Sequence, residues 1–157
     1  MKKIFFLLVS ICCMQLMHAQ TSAIGLRLSG GSLLGAEASY QQWMGNNNRI
    51  EADLGFNSRN WTSVLQFTVL YQWVFELEAP FNWYCGVGGS TGFWDFNDEI
   101  LGNSDGGFFI NADFDIGIEY TFEIPLQVSL DLRPQIGLLN SYDSFDGTLG
   151  LGVRYTF

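Results

Sequence analysis

Phe108-Phe109-Ile110-Asn111-Ala112-Asp113-Phe114-Asp115-Ile116-Gly117-Ile118-Glu119-Tyr120-Thr121-Phe122 alternates along almost its whole length. The even positions are apolar throughout, and after Phe109 the odd positions are Asn111, Asp113, Asp115, Gly117, Glu119 and Thr121. A period of two puts these sets on opposite faces of a pleated strand, which no helical period would do. The last residues repeat the pattern, with Leu149, Leu151, Val153, Tyr155 and Phe157 against Gly150, Gly152, Arg154 and Thr156.

Further strands follow by the same parity. Arg49 to Asn57 sets Ile50, Ala52, Leu54 and Phe56 against Arg49, Glu51, Asp53 and Gly55. Asn60 to Phe75 places Trp61, Leu65, Phe67, Val69, Tyr71, Trp73 and Phe75 on one face. Four more strands lie near Ala23–Ser29, Leu34–Met44, Asn82–Trp94 and Leu126–Leu139. The second of these has an unsettled register, because Gln42 falls on its apolar face and Trp43 on its polar one. Pro134 lacks an N–H, so a bulge or frayed segment is expected there. Eight strands of about 11 residues suit an eight-stranded membrane barrel. Tight turns at Gly45-Asn46-Asn47-Asn48, Glu78-Ala79-Pro80 and Glu123-Ile124-Pro125 alternate with long acidic loops at Asp95–Gly107 and Asn140–Gly147. With a periplasmic N-terminus, both long loops are extracellular.

Composition narrows the class. The 157 residues are 48% apolar and 16% aromatic, and only 15% are charged. That charged fraction is low for a soluble domain, and the aromatic content excludes disorder. Seven basic residues against sixteen acids, net −9, exclude a nucleic-acid footprint. Met1-Lys2-Lys3 followed by the apolar run Ile4 to Met14 has the layout of a signal peptide, so 1–19 is expected to be cleaved, leaving 20–157 as the barrel domain. The remaining chain has no Lys, no His and one thiol, Cys85; its five arginines against sixteen acids give −11.

Alternation alone leaves the outward face open. A lipocalin-like soluble barrel would hold its apolar face inside around a ligand. Its surface would then be Gly, Ser, Thr and Gln without Lys, unlike ordinary soluble surfaces. Aromatics gather at strand ends, and the apolar parity recurs in every strand, as a lipid-facing band requires. The expected fold is therefore all-β: an eight-stranded antiparallel up-and-down transmembrane β-barrel.

The segment Gly117-Ile118-Glu119-Tyr120-Thr121-Phe122 recurs as Gly152-Val153-Arg154-Tyr155-Thr156-Phe157, ending in an aromatic at the C-terminus. With Ile124-Pro125-Leu126 and Asp131-Leu132-Arg133-Pro134, it resembles the small outer-membrane β-barrel proteins of the OmpA/OmpX transmembrane-domain type, over the whole mature chain. The resemblance implies outer-membrane location and a C-terminal assembly signal, Tyr155 and Phe157, read by the barrel-assembly machinery. It implies no activity. No peptidoglycan-binding domain is expected after the barrel.

The inward face carries Arg27, Glu37, Arg49, Glu51, Asp53, Asp113, Asp115, Glu119, Asp131, Arg133 and Arg154. Glu119 and Arg154 sit at matching heights, with Asp131 and Arg133 on the strand between them, so these four are expected to form one interior network. Tyr71, Trp73, Tyr120, Phe122 and Tyr155 are expected to form a periplasmic aromatic girdle. A polar plug is the simple reading of the interior; a narrow pore would prefer cations. A lipid-modifying enzyme is the rival, but with His18 removed the mature chain offers no such general base. Asp113 and Asp115 read as interior acids, not a catalytic pair. Neither cofactor nor metal is expected, since Asp95, Asp98, Glu99, Asp105, Asp143 and Asp146 lack the spacing of a calcium loop. Phe96, Ile100, Leu101 and Phe145 among them could be adhesive contacts or packing. The expected role is structural or surface-interacting, carried by the two long loops. Expected partners are lipid, lipopolysaccharide and an extracellular partner of unspecified identity, with a monomeric barrel.

Overall fold

A β-strand satisfies its backbone only by pairing, and in hydrocarbon no strand edge is tolerated, so a sheet there must close on itself. The computed structural model, which describes residues 22–31, 35–45, 47–59, 62–98, 103–139 and 145–157, closes in this way. Its strands are β1 (Ser22–Gly30), β2 (Gly35–Trp43), β3 (Asn48–Arg59), β4 (Thr62–Glu78), β5 (Phe81–Asp98), β6 (Asn103–Thr121), β7 (Leu126–Leu139) and β8 (Phe145–Thr156). Each pairs antiparallel with the next, and β8 returns to β1. The seam extends to the last residue, where Ser22 and Phe157 exchange two backbone hydrogen bonds of 3.1 and 2.9 Å. The expected signal peptide, 1–19, lies outside the described residues.

The register fixes the tilt. A circuit leaving β8 at Tyr155 passes through Ile24, Tyr40, Ala52, Val69, Gly89, Ala112 and Ile136, and returns to β8 at Phe145, ten residues away. A stagger of that size in eight strands corresponds to a tilt of roughly 40° and a bore that side chains can fill.

The two faces are inverted relative to a water-soluble protein. On β7, Leu130 and Leu132 are each 48% exposed, while Ser129, Asp131 and Arg133 between and beside them are 1–2% exposed. The same holds on β1, β3, β6 and β8. This overturns the soluble-barrel alternative, which needs the apolar parity inside. No helix among the described residues is long and apolar enough to cross a membrane; the strands do it.

Two expectations about the strands are corrected. The segment Asp95–Gly107 is largely not loop: β5 runs to Asp98 and β6 starts at Asn103, paired from Asp95↔Gly106 to Asp98↔Asn103. Glycines at 106 and 107 suggest a loop, yet Gly107 leaves room for the inward Trp94 ring, so the ladder continues. Likewise Phe145, Asp146 and Gly147 belong to β8, facing Ile136, Gln135 and Pro134; what remains of these two segments, 99–102 and 140–144, lies outside the described residues. At Pro134 the frayed alternative is found and not the bulge: the β6–β7 ladder skips from Asp113↔Gln135 to Ile116↔Leu132, as a missing N–H would produce, and the register shift falls at Ile110/Asn111. In β2, Gln42 accepts hydrogen bonds from Ser22 Oγ (2.8 Å) and Tyr40 Oη (2.7 Å), which explains a polar residue on the outer parity.

Candidate functional site

Four arginines project into a bore about one side chain wide. Arg27, Arg49 and Arg154 are 0–1% exposed and Arg133 2%. A buried guanidinium needs charge and hydrogen bonds together, and each of these has both. Arg27 pairs with Glu37 at 2.7 Å and with Asp131. Arg49 donates to Glu119 at 2.6 Å and to Gln72 at 2.5 Å, with its guanidinium carbon 4.7 Å from the Tyr84 ring centroid and 5.7 Å from that of Trp43. Arg133 reaches Asp53 at 2.9 Å, Glu51 at 3.1 Å and Glu37 at 3.3 Å. Arg154 reaches Glu51 at 3.0 Å, Ser39 at 2.9 Å and Ser129 at 2.7 Å.

Glu51 is the hub. It accepts from Arg133, Arg154, Gln41 at 2.6 Å and Gln72 at 3.1 Å. Through it, Glu119, Asp131, Arg133 and Arg154 belong to one connected network, but among the hydrogen bonds and ion pairs of the described residues no two of these four bond each other. The four are joined through partners on β1, β2, β3 and β4 and not directly across β6, β7 and β8. On β8, Arg133 faces Thr148, while Asp131 and Ser129 face Gly150 and Gly152, which offer space and no charge. The acids of β2 and β3 face the arginines across the bore, and an arginine is long enough to reach them. A Cβ at Gly150 would strike the Arg27 guanidinium.

Residues that parity did not single out complete the filling. Tyr84 is 1% exposed, and Leu70, Val74, Val64 and Phe109 are buried with it. They sit on the polar parity, so only the closed ring reveals them as core. Asp113 is held by Ser90 at 3.1 Å and Asp115 by Gln72 at 2.5 Å. Arg133 Nε and Asp115 Oδ1, 3.9 Å apart, have no other partner among the described residues, a spacing suited to a bridging water. Toward the end that carries the β5–β6 tip, Ser29, Glu37, Gln66, Arg133, Gln135, Asp146 and Thr148 line a cavity of about 40 Å³, room for two or three waters.

The aromatic positions lie on the outer face at one end. Tyr71 and Trp73 meet edge-on at 5.0 Å, Tyr120 and Phe122 at 4.6 Å, and Tyr155 stacks with Phe157 at 6.3 Å. Phe75–Trp83 and Phe81–Tyr120 extend the ring of aromatics over β4, β5 and β6. Cys85 is a half-buried thiol on the same outer face. Among the described residues no group of three His, Cys, Asp or Glu is arranged to hold a metal ion. Asp95 and Phe145 are exposed at the other end, whereas Glu99, Ile100, Leu101 and Asp143 lie outside the described residues.

No protein-family model and no curated protein matches the chain. Solved structures do. The N-terminal β-barrel domain of Pseudomonas aeruginosa OprF superposes with a TM-score of 0.75 at 16% identity, covering 88% of this chain and 98% of that one. Neisserial surface protein A gives 0.67 at 15%, covering 87% and 94%. Ail, the attachment invasion locus protein of Yersinia pestis, gives 0.60 at 16%, covering 87% and 96%. At such identities the likeness is one of fold: the chain shares with these three the closed eight-stranded antiparallel barrel.

Proposed function

We propose that this chain is a monomeric, non-enzymatic outer-membrane protein whose biological contacts are made by its extracellular hairpins, with the barrel as their anchor. The observation that carries this reading is the filled bore: four buried arginines and their acids occupy the space a transport path would need. A second is the β5–β6 hairpin. Its paired residues 103–109 extend past Ile110↔Leu139, where pairing with β7 ends, so the ladder rises above the β7 side of the rim. Surface attachment, in the printed name of Ail, is consistent with such a projection. Lipid and lipopolysaccharide would cover the apolar belt, and Tyr155 with Phe157 would engage the assembly machinery.

Replacing 95–107 by a two-residue turn tests the proposal. The shortened protein should keep heat-modifiable gel mobility and outer-membrane fractionation. Cells expressing it should lose the adhesion to protein-coated or abiotic surfaces that the full chain confers. Unchanged adhesion with an intact barrel would contradict the assignment to this hairpin.

The interior holds seven carboxylates against four arginines, which favours cations in any residual path. Planar-bilayer recordings should therefore show at most small, cation-preferring conductance; anion preference would contradict the charge balance.

A further inference from the structure

We infer that size matching between facing inward residues sets the register of the β5–β6 hairpin, and thereby the height at which its extracellular tip is held. Alternation forbids a slip of one residue, because that turns every apolar side chain inward. A slip of two keeps each residue on its own face, so the apolar pattern does not resist it. In this hairpin the ladder runs from Phe81↔Tyr120 to Asp98↔Asn103 without a register shift, so something else must hold it.

The inner face supplies the discrimination. Tyr84 faces Gly117, Phe109 faces Gly92 and Trp94 faces Gly107. Each ring lies over its glycine: a Cβ would come 2.5 Å from Tyr84 Oη at Gly117, 2.8 Å from Phe109 Cζ at Gly92 and 2.7 Å from Trp94 Nε1 at Gly107, with neighbouring backbone also close at Gly92 (Leu65 O) and Gly117 (Leu130 O, 2.8 Å). Between them Gly86 faces Asp115 and Gly88 faces Asp113. A two-residue slip in one direction sets Tyr84 against Asp115 and leaves Gly92 opposite Gly107. The opposite slip sets Trp94 against Phe109 and leaves Gly86 opposite Gly117. Either one creates an overfilled layer beside an empty one, and both errors are unfavourable in a packed interior. An aromatic folded over a cross-strand glycine is a known way to pin register. A two-residue slip would move one strand against the other by roughly 7 Å, enough to change which residues the tip presents.

The outer face provides a reporter, since Cys85 pairs with Ile116. In a Cys12→Ser, Cys13→Ser background of the membrane-inserted full chain, Ile116→Cys should crosslink to Cys85 with a short thiol reagent, and Phe114→Cys or Ile118→Cys should do so several-fold less. Gly107→Leu should shift crosslinking toward position 114 or 118, or remove heat-modifiable folded protein. The exchange Trp94→Gly with Gly107→Trp should restore both folding and crosslinking at 116, because the atoms nearest a Cβ at Gly107 all belong to the Trp94 ring and the exchange keeps one ring and one glycine in the layer. Gly107→Leu folding with crosslinking still confined to 116 would overturn the inference. So would an exchange variant that behaves no better than Gly107→Leu.

Discussion

Arg133→Met should destabilise the barrel by about 3–5 kcal/mol, the range for removing one partner of a buried ion pair. The Arg133 guanidinium lies 2.9, 3.1 and 3.3 Å from carboxylate oxygens of Asp53, Glu51 and Glu37. Methionine fills much of the volume but leaves these acids facing one another in a narrow bore. Arg133→Lys should recover only part of the loss, since one ammonium cannot reproduce the planar fork spread over three acids. Reversible urea unfolding of the refolded protein in lipid vesicles reads the change. Adding Asp53→Asn to Arg133→Met should return part of the stability, because it removes one of the orphaned charges, and a double-mutant cycle isolates that coupling. A loss below about 1 kcal/mol for Arg133→Met would mean that water, not Arg133, neutralises these acids.

Leu151→Arg is the second large effect, and it probes the opposite face. Leu151 is 46% exposed and faces Leu28 on β1 and Leu130 on β7, so its surroundings are apolar on both sides. An arginine near the bilayer midplane of a barrel costs about 2–4 kcal/mol, falling to about 0–1 near the interface. Phe145→Arg, at the extracellular end of the same strand, is the control. The same vesicle unfolding measurement should separate the two substitutions by at least about 1 kcal/mol. Equal effects would place Leu151 outside the hydrocarbon.

The residues differ in how far their sequence neighbours reveal their role. Face assignment is local: Asp131 lies between Leu130 and Leu132 and goes inward with Ser129 and Arg133, because backbone pleating alone dictates it. Pairing inside the bore is not local. Glu51 joins Arg133 from β7 and Arg154 from β8 to β3, contacts that exist only once the ring closes with its stagger. The repeat that aligns Glu119 with Arg154 therefore points to two members of one network but not to their partners, Arg49 and Glu51. Tyr84, Leu70 and Val74 escape notice for the same reason, as apolar groups on a parity otherwise polar. Strand ends follow a third logic. Gly106 and Gly107 carry the composition of a loop, yet Trp94 lies over Gly107 and the pairing runs on to Asp98↔Asn103.

Each strand turns an apolar face toward lipid and a polar or charged face toward a filled bore. Nitroxide labels placed one at a time at Ser129, Leu130, Leu132, Gln135 and Ile136 of β7, in lipid vesicles, test that arrangement. Collision rates with oxygen should be high at positions 130, 132 and 136 and low at 129 and 135, with little access for a water-soluble nickel reagent at any of the five. Strong nickel access at 130 and 132, or oxygen maxima at 129 and 135, would contradict it.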